Sequence, residues 1–323
     1  MRMPVVKIID RIKGSLGLIN VLHYFDISVS TFRLWSMETF TSCFYSIVNK
    51  CNRIYPTQLS NPEITKLKEK LLSPQYEYWP VSSIALESLR NGSLPLALNT
   101  WYKYRKRLGI ELCRPKDRRK KKVEGIRATQ PNQIWHPDIT RFVTVDNQIH
   151  YIYLVVDNFS RKILSWFVGN KVSALIRRQT ISEALKSFKG AEEIVLITDG
   201  GPENSLMDYL DSLPVPISHQ KALLDIQCSN SLIEAHNKVI KYNYLYKMTI
   251  PDEGELKKAM DWICYDFNNR PHISLNGLTP NESHQNMILD KDSLKAKKKT
   301  ASEERKRFNF KNRCTSCEVE PKK

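Results

Sequence analysis

Three carboxylates stand in surroundings that leave them open for chemistry. Asp138 lies inside the first expected strand, in Trp135-His-Pro-Asp-Ile-Thr140. Asp199 ends the run Glu193-Ile-Val-Leu-Ile-Thr198 and is followed by Gly200 and Gly201, which let the backbone turn away from the side chain. Glu234 lies on a helical stretch that begins near Ser229. Hard divalent cations take oxygen ligands, so carboxylates delivered to one point by separate elements suit phosphoryl transfer on two ions about 3.5–4 Å apart. Taken singly, each residue has a plainer reading, and an Asp before two glycines is commonly a turn residue. Lys238 and Lys241 follow Glu234 by four and seven residues, which a helix places on the same face. The plain alternative there is a surface Glu–Lys pair worth a few tenths of a kcal/mol.

The elements that must position these groups follow from periodicity and turn residues. Ile134 to Val145, Gln148 to Val156 and Lys162 to Val168 are rich in β-branched and aromatic residues, with turn residues at Asp146-Asn147 and from Asn158 to Arg161. They predict three antiparallel strands. Ser173 to Phe188 predicts a helix, Glu193 to Thr198 a buried strand, Leu206 to Leu213 a short helix and Pro216 to His219 a fifth strand. Asn230 to Lys247 and Asp252 to Asn268 predict two longer helices. The order describes an α/β chain with a ribonuclease-H-like catalytic core, a mixed five-stranded sheet with helices, preceded by all-α helix-turn-helix units. Within it, Asp157 orders the turn after the second strand with Ser160 and Arg161, and His136 positions rather than ligates, since Mg2+ prefers oxygen.

Charge says what the ends of the chain are for. Residues 1–122 hold 22 Lys+Arg against 9 Asp+Glu, residues 123–290 hold 16 against 20, and residues 291–323 hold 12 against 5. Two basic flanks around a mildly acidic centre suit a protein that grips a polyanion with its ends and works on it in the middle. Residues 1–60 predict a helix-turn-helix: Ser28 caps a helix with Phe32 and Trp35 on one face, and Ser30, Thr31 and Arg33 would face DNA. A simple helical hairpin is the alternative. Residues 61–112 predict a second such unit, with helices at Pro80 to Arg90 and Leu96 to Leu108; the latter carries Lys103 and Arg105 for phosphates, or merely a solvated basic face. Residues 113–129 form a basic linker with Arg118, Arg119 and Lys120, residues 130–290 the core, and residues 291–323 a basic tail without structure of its own. Seven scattered cysteines make no disulfide framework, and Cys314 and Cys317 supply only half of a tetrahedral zinc site. No run of eighteen apolar residues would span a membrane and no signal peptide opens the chain, so a protein of the reducing cytoplasm is expected.

The segments Gln133-Ile-Trp-His-Pro-Asp-Ile-Thr140, Tyr151 to Ile163, Ile197-Thr-Asp-Gly-Gly-Pro-Glu-Asn204 and Phe267 to Pro280 together resemble, in order and spacing, the integrase-type core of bacterial insertion-sequence transposases. The resemblance covers roughly residues 130–290. It implies a DDE triad, falling here on Asp138, Asp199 and Glu234; 34 residues separate the last two, one fewer than is commonest in that group. It further implies two magnesium or manganese ions per site, end-DNA contacts by Lys238 and Lys241, and double-stranded DNA as partner: the element's terminal repeats and the target. Two ends must be brought together, so a homo-oligomer on DNA is expected. The activity implied is end cleavage and strand transfer. The rivals are a catalytically inactive, transposase-derived repressor and a plain ribonuclease-H-type nuclease.

Overall fold

The computed structural model describes residues 2–41, 56–110, 126–188, 193–198, 207–210, 212–213, 215–221 and 231–311. In chain order the helices are α1 (Arg2–Leu16), α2 (Leu18–Tyr24), α3 (Val29–Thr41), α4 (Asn61–Leu72), α5 (Val81–Arg90) and α6 (Leu98–Arg107). Then come strands β1 (Ile134–Val143), β2 (Ile149–Asp157) and β3 (Ile163–Gly169), helix α7 (Ala174–Lys186), strand β4 (Ile194–Thr198), the short helix α8 (Met207–Leu210) and strand β5 (Ile217–Lys221). Helices α9 (Ser231–Val239), α10 (Glu253–Asn269), α11 (Pro280–His284) and α12 (Lys291–Lys311) follow. The chain divides into two compact bodies. One comprises Met1–Leu72, Leu94–Ile110 and Ser293–Lys323, and the other Ser73–Ser93 and Glu111–Asp292.

In the first body, α1, α2 and α3 close around Val6, Ile9, Val21, Leu22 and Phe32, with Trp35 packed against them. Helix α2 ends in a Schellman motif: the Ile27 N–H donates to the Leu22 carbonyl and the Asp26 N–H to that of His23. Asp26 takes the left-handed conformation that this ending needs. The Ser28 hydroxyl then accepts from the Thr31 N–H at 3.1 Å, as a cap should. Helix α4 buries Ile64, Leu67 and Leu71, and α6 buries Trp101 and Tyr104; the Tyr104 hydroxyl accepts from the Leu59 N–H at 3.0 Å.

Two expectations are corrected in this body. The tail is structured from Lys291 to Lys311 as α12, because polar contacts replace the missing apolar stripe. The Arg305 guanidinium meets the Glu63 carboxylate at 2.8–2.9 Å, and the buried Asn309 amide donates to the carbonyls of Pro56 and Gln58 at 2.7 Å. The stretch expected as one unit over 61–112 is divided. Helices α4 and α6 lie in this body, whereas α5 belongs to the other.

The second body is built on the sheet β3-β2-β1-β4-β5. Strands β1, β2 and β3 form an antiparallel meander, and β4 and β5 add in parallel beside β1, giving the expected ribonuclease-H-like arrangement. Helix α7 covers one face through Ile181 and Ala184 against Trp135, Val155 and Leu196. Residues of α9 and α10, among them Ile233, Met260 and Phe267, pack with Ile152, Leu154 and Val156 of β2. Helix α5 joins this body through the Ser83 hydroxyl, which donates to the Pro271 carbonyl at 2.7 Å, and through Arg90, which bonds the Gly277 carbonyl and the Glu282 carboxylate. These tertiary bonds, invisible to a local helix-turn-helix pattern, are why α5 parts from α6.

The helix expected over Asn230 to Lys247 is regular only to Val239. A π-helical turn, Ile240–Tyr244, and a 3-10 turn, Leu245–Lys247, follow. The cause is the buried Tyr244, whose hydroxyl donates to Asp266 at 2.6 Å and accepts from Arg270 at 2.5 Å, fixing one residue's position against the regular helical repeat.

Candidate active site

Asp138 sits midway along β1, opposite Leu154 of β2. On its other side β4 pairs with β1 only at Ile134–Val195 and Trp135–Leu196. Asp138 thus lies three residues beyond the Trp135–Leu196 pair, on the strand that β4 joins in parallel. The strand is steadied from beneath by Arg177 of α7, almost wholly buried, which donates to the Pro137 carbonyl at 3.3 Å.

Helix α9 comes to this point. The Asn237 amide donates to the Asp138 carboxylate at 2.5 Å, linking the centre of β1 to the helix whose first turn carries Glu234. Glu234 is exposed. Lys238 is exposed and Lys241, in the π-helical turn, is half-buried. Burial pulls the Lys241 ammonium below the ordinary lysine value, while the Asp138 carboxylate opposes that shift. Lys241 and Asp138 are thus electrostatic neighbours. Asn237 was missed by the sequence reading. Its only signal was a polar amide three residues after Glu234, on the face that the helix shares with that carboxylate.

Among the described residues no group of three His, Cys, Asp or Glu side chains gathers as a metal site. Asp199, the expected third carboxylate, lies outside the described residues, directly after Thr198 at the end of β4. Arg118, Arg119, Lys120, Cys314 and Cys317 also lie outside them.

The other expected contact residues lie in the first body. Ser30 and Arg33 are exposed on α3, and the hydroxyls of Ser30 and Thr31 share hydrogen bonds with that of Ser28 at 2.9 and 2.7 Å. On α6, Lys103 is exposed and Arg105 half-buried, with Trp101 and Tyr104 turned inward.

Other residues that resemble ligands are engaged in structure. His136 is fully buried and its Nε2 meets the Asn158 amide at 2.8 Å. Asp157 is also fully buried; it accepts from the Ser160 N–H, the Ser160 hydroxyl and the Asn132 N–H at 2.5–2.8 Å, so it orders the turn after β2 as expected. His272 bonds the Phe267 carbonyl at 3.1 Å, and burial, helped by Arg270, pushes its pKa down to about 3. It is a neutral packing residue.

Residues 128–238 match the family model described as Integrase core domain. The chain is 27% identical over 158 residues to the putative transposase InsK for insertion sequence element IS150 of Escherichia coli (strain K12), covering 48% of this chain and 56% of that protein. It is 29% identical over 158 residues to the transposase InsF for insertion sequence IS3A of the same organism, covering 48% and 54%. The chain thus spans about half the length of these relatives. The HTLV-2 integrase catalytic core domain in complex with magnesium covers 49% of this chain and 99% of its own, with 21% identity and a TM-score of 0.38.

Proposed function

We propose that this chain, similar to insertion-sequence transposases and carrying an integrase-type core, is a DNA transposase that cuts at its element's ends and joins them to a target. The observation that carries the reading is the meeting of Asp138, on the strand that β4 joins in parallel, with the helix that bears Glu234, inside the segment that matches the Integrase core domain. The chemistry is two in-line displacements at phosphorus. Water frees a 3′-OH at the element's end, and that hydroxyl then attacks a phosphodiester of the target, each time expelling the strand's other oxygen.

The donor set fits hard cations. Asp138, Asp199 and Glu234 offer only oxygen, and Asp138 is held by an amide as ligating carboxylates usually are. Two magnesium or manganese ions held by these residues would supply activation of the attacking oxygen and stabilisation of the leaving one. The chain's own groups do the rest. Asn237 keeps the Asp138 carboxylate in one orientation, while Lys238 and Lys241 hold DNA phosphates beside it. Catalysis of this kind is positioning and electrostatics. Ser30, Thr31 and Arg33 on α3 would read the ends, and Lys103, Arg105, Arg118, Arg119 and Lys120 would grip the backbone. Bringing two ends together calls for a homo-oligomer on DNA.

Asp138→Asn, Asp199→Asn and Glu234→Gln are each expected to abolish cleavage and strand transfer of an end-bearing duplex with Mg2+. Affinity for that duplex should stay within about threefold, because basic residues elsewhere supply it. Near-normal strand transfer by any one variant would remove that residue from the triad. Inactivity of the wild type, with intact end binding, would favour the repressor.

A further inference from the structure

A groove of about 440 Å³ opens beside the candidate active site, lined by Arg141, Phe142, Lys241, Leu245, Tyr246 and Met248. That volume lies within the range of roughly 300–1,000 Å³ typical of sites for small organic groups. Its walls have two characters. Tyr246 is 57% exposed, yet its ring stacks on the buried Phe142 with centroids 6.2 Å apart and an interplanar angle of 27°. The half-exposed Tyr242 meets Tyr246 edge-on at 5.2 Å. An aromatic ring backed on one side by a core residue is a fixed platform with its remaining surface in water. Arg141 and Lys241 add positive charge to the same lining.

Position connects the groove to the chemistry. Phe142, which backs the Tyr246 ring, stands four residues beyond Asp138 on β1 and on the same face of the sheet, about 13 Å along the strand, and Lys241 is the electrostatic neighbour of Asp138. The π-helical turn and the 3-10 turn that present Lys241, Tyr242 and Tyr246 are anchored by Tyr244 between Asp266 and Arg270, so the platform does not depend on a loop. A flat π-surface beside two cations has the chemistry of a nucleotide: a base to stack and a phosphate to neutralise. Bases inside a duplex already stack on each other, so only an unpaired one can use the ring.

We propose that this groove captures an unpaired nucleobase of the DNA strand at the candidate active site, stacked on Tyr246, with its phosphate held by Arg141 and Lys241. The proposal rests on the transposase reading and deepens it. The captured base would hold the adjacent phosphodiester in register with Asp138, and the enzyme would favour frayed or nicked ends over blunt ones.

The test uses the full chain and two DNAs of one end sequence: a fork with 2-aminopurine at its first unpaired position, and the fully paired duplex. The wild type should bind the fork more tightly and quench the fluorophore. Tyr246→Ala should lose about tenfold of that preference and the quenching, with duplex affinity unchanged. Tyr246→Phe should keep both, because it retains the ring, and Lys241→Gln should weaken both DNAs alike. Undiminished fork preference and quenching in Tyr246→Ala would overturn the groove assignment. Fork preference that tracks Tyr246 in a chain unable to cleave any end would uphold the groove and sink the transposase activity. Binding of neither DNA by the wild type would overturn both.

Discussion

The Asn237 amide gives Asp138 a fixed partner at 2.5 Å, and on the proposed reading that bond orients a metal-binding carboxylate. Outer hydrogen bonds of this kind are typically worth about 10–100-fold in metal affinity or activity. Asn237→Ala should therefore raise the Mg2+ concentration for half-maximal end cleavage by about that factor, with the rate recovering at saturating Mg2+. A lower rate at every Mg2+ concentration, with the half-maximal point unmoved, would instead make the amide a structural tie between β1 and α9. At this scale the sequence was readable where a residue's partners are local. Asp157 with Ser160 is an interaction over three residues, and its turn role followed from neighbouring residue types. Asn237 with Asp138 spans 99 positions, and nothing near either residue announces the other. Asp199 was legible as a strand end before two glycines, and its part in the site stays a proposal.

Among the elements, the strands and α7 lie within a residue or two of where alternation and apolar runs put them, because the sheet buries its residues by simple periodicity. Helix α5 shows where periodicity stops. Its amphipathic pattern is correct, but its partners are the Pro271 carbonyl, the Gly277 carbonyl and Glu282, nearly two hundred residues away. Gly277, at φ +99, lies with its Cβ direction against Leu86 of α5 and Leu289, at 3.2 and 3.3 Å. A fragment beginning at residue 123 thus lacks part of its own core, and one spanning 73–292 restores it. Covering Val81, Ile84 and Leu89 stabilises by about 1.5–3 kcal/mol each, and each kcal/mol moves the melting temperature of a body this size by about 2–4 °C. The 123–290 fragment should melt about 10 °C or more below the 73–292 fragment by calorimetry. Equal melting would mean that α5 only rests on the core surface. The π-helical turn after α9 was equally hidden, since its cause is the burial of Tyr244 between Asp266 and Arg270.

For the molecule as a whole, the informative feature is a body assembled from both ends of the chain. Basic composition identified the two flanks, but it could not show that they fold together, because charge is a property of surfaces and the joining contacts are a few buried polar ones. Deleting residues 291–323 removes Arg305 from Glu63 and Asn309 from the carbonyls of Pro56 and Gln58. That deletion should lower hydrogen-exchange protection in α4 by about tenfold or more, the rough equivalent of losing one charge-assisted hydrogen bond, and leave β1 and β2 protected. Unchanged protection in α4 would make α12 an appendage. The same arrangement sets an order for biosynthesis. Ribosomes add about 5–20 residues per second, and some 200 residues separate α6 from the end of α12. Helix α4 must then wait roughly 10–40 s after α6 is made before its last partner exists. The body nested within the sequence is fully synthesised first. A chain that stalls or is cut before Arg305 would hold its sheet and candidate active site while lacking the helix that completes the body at its ends.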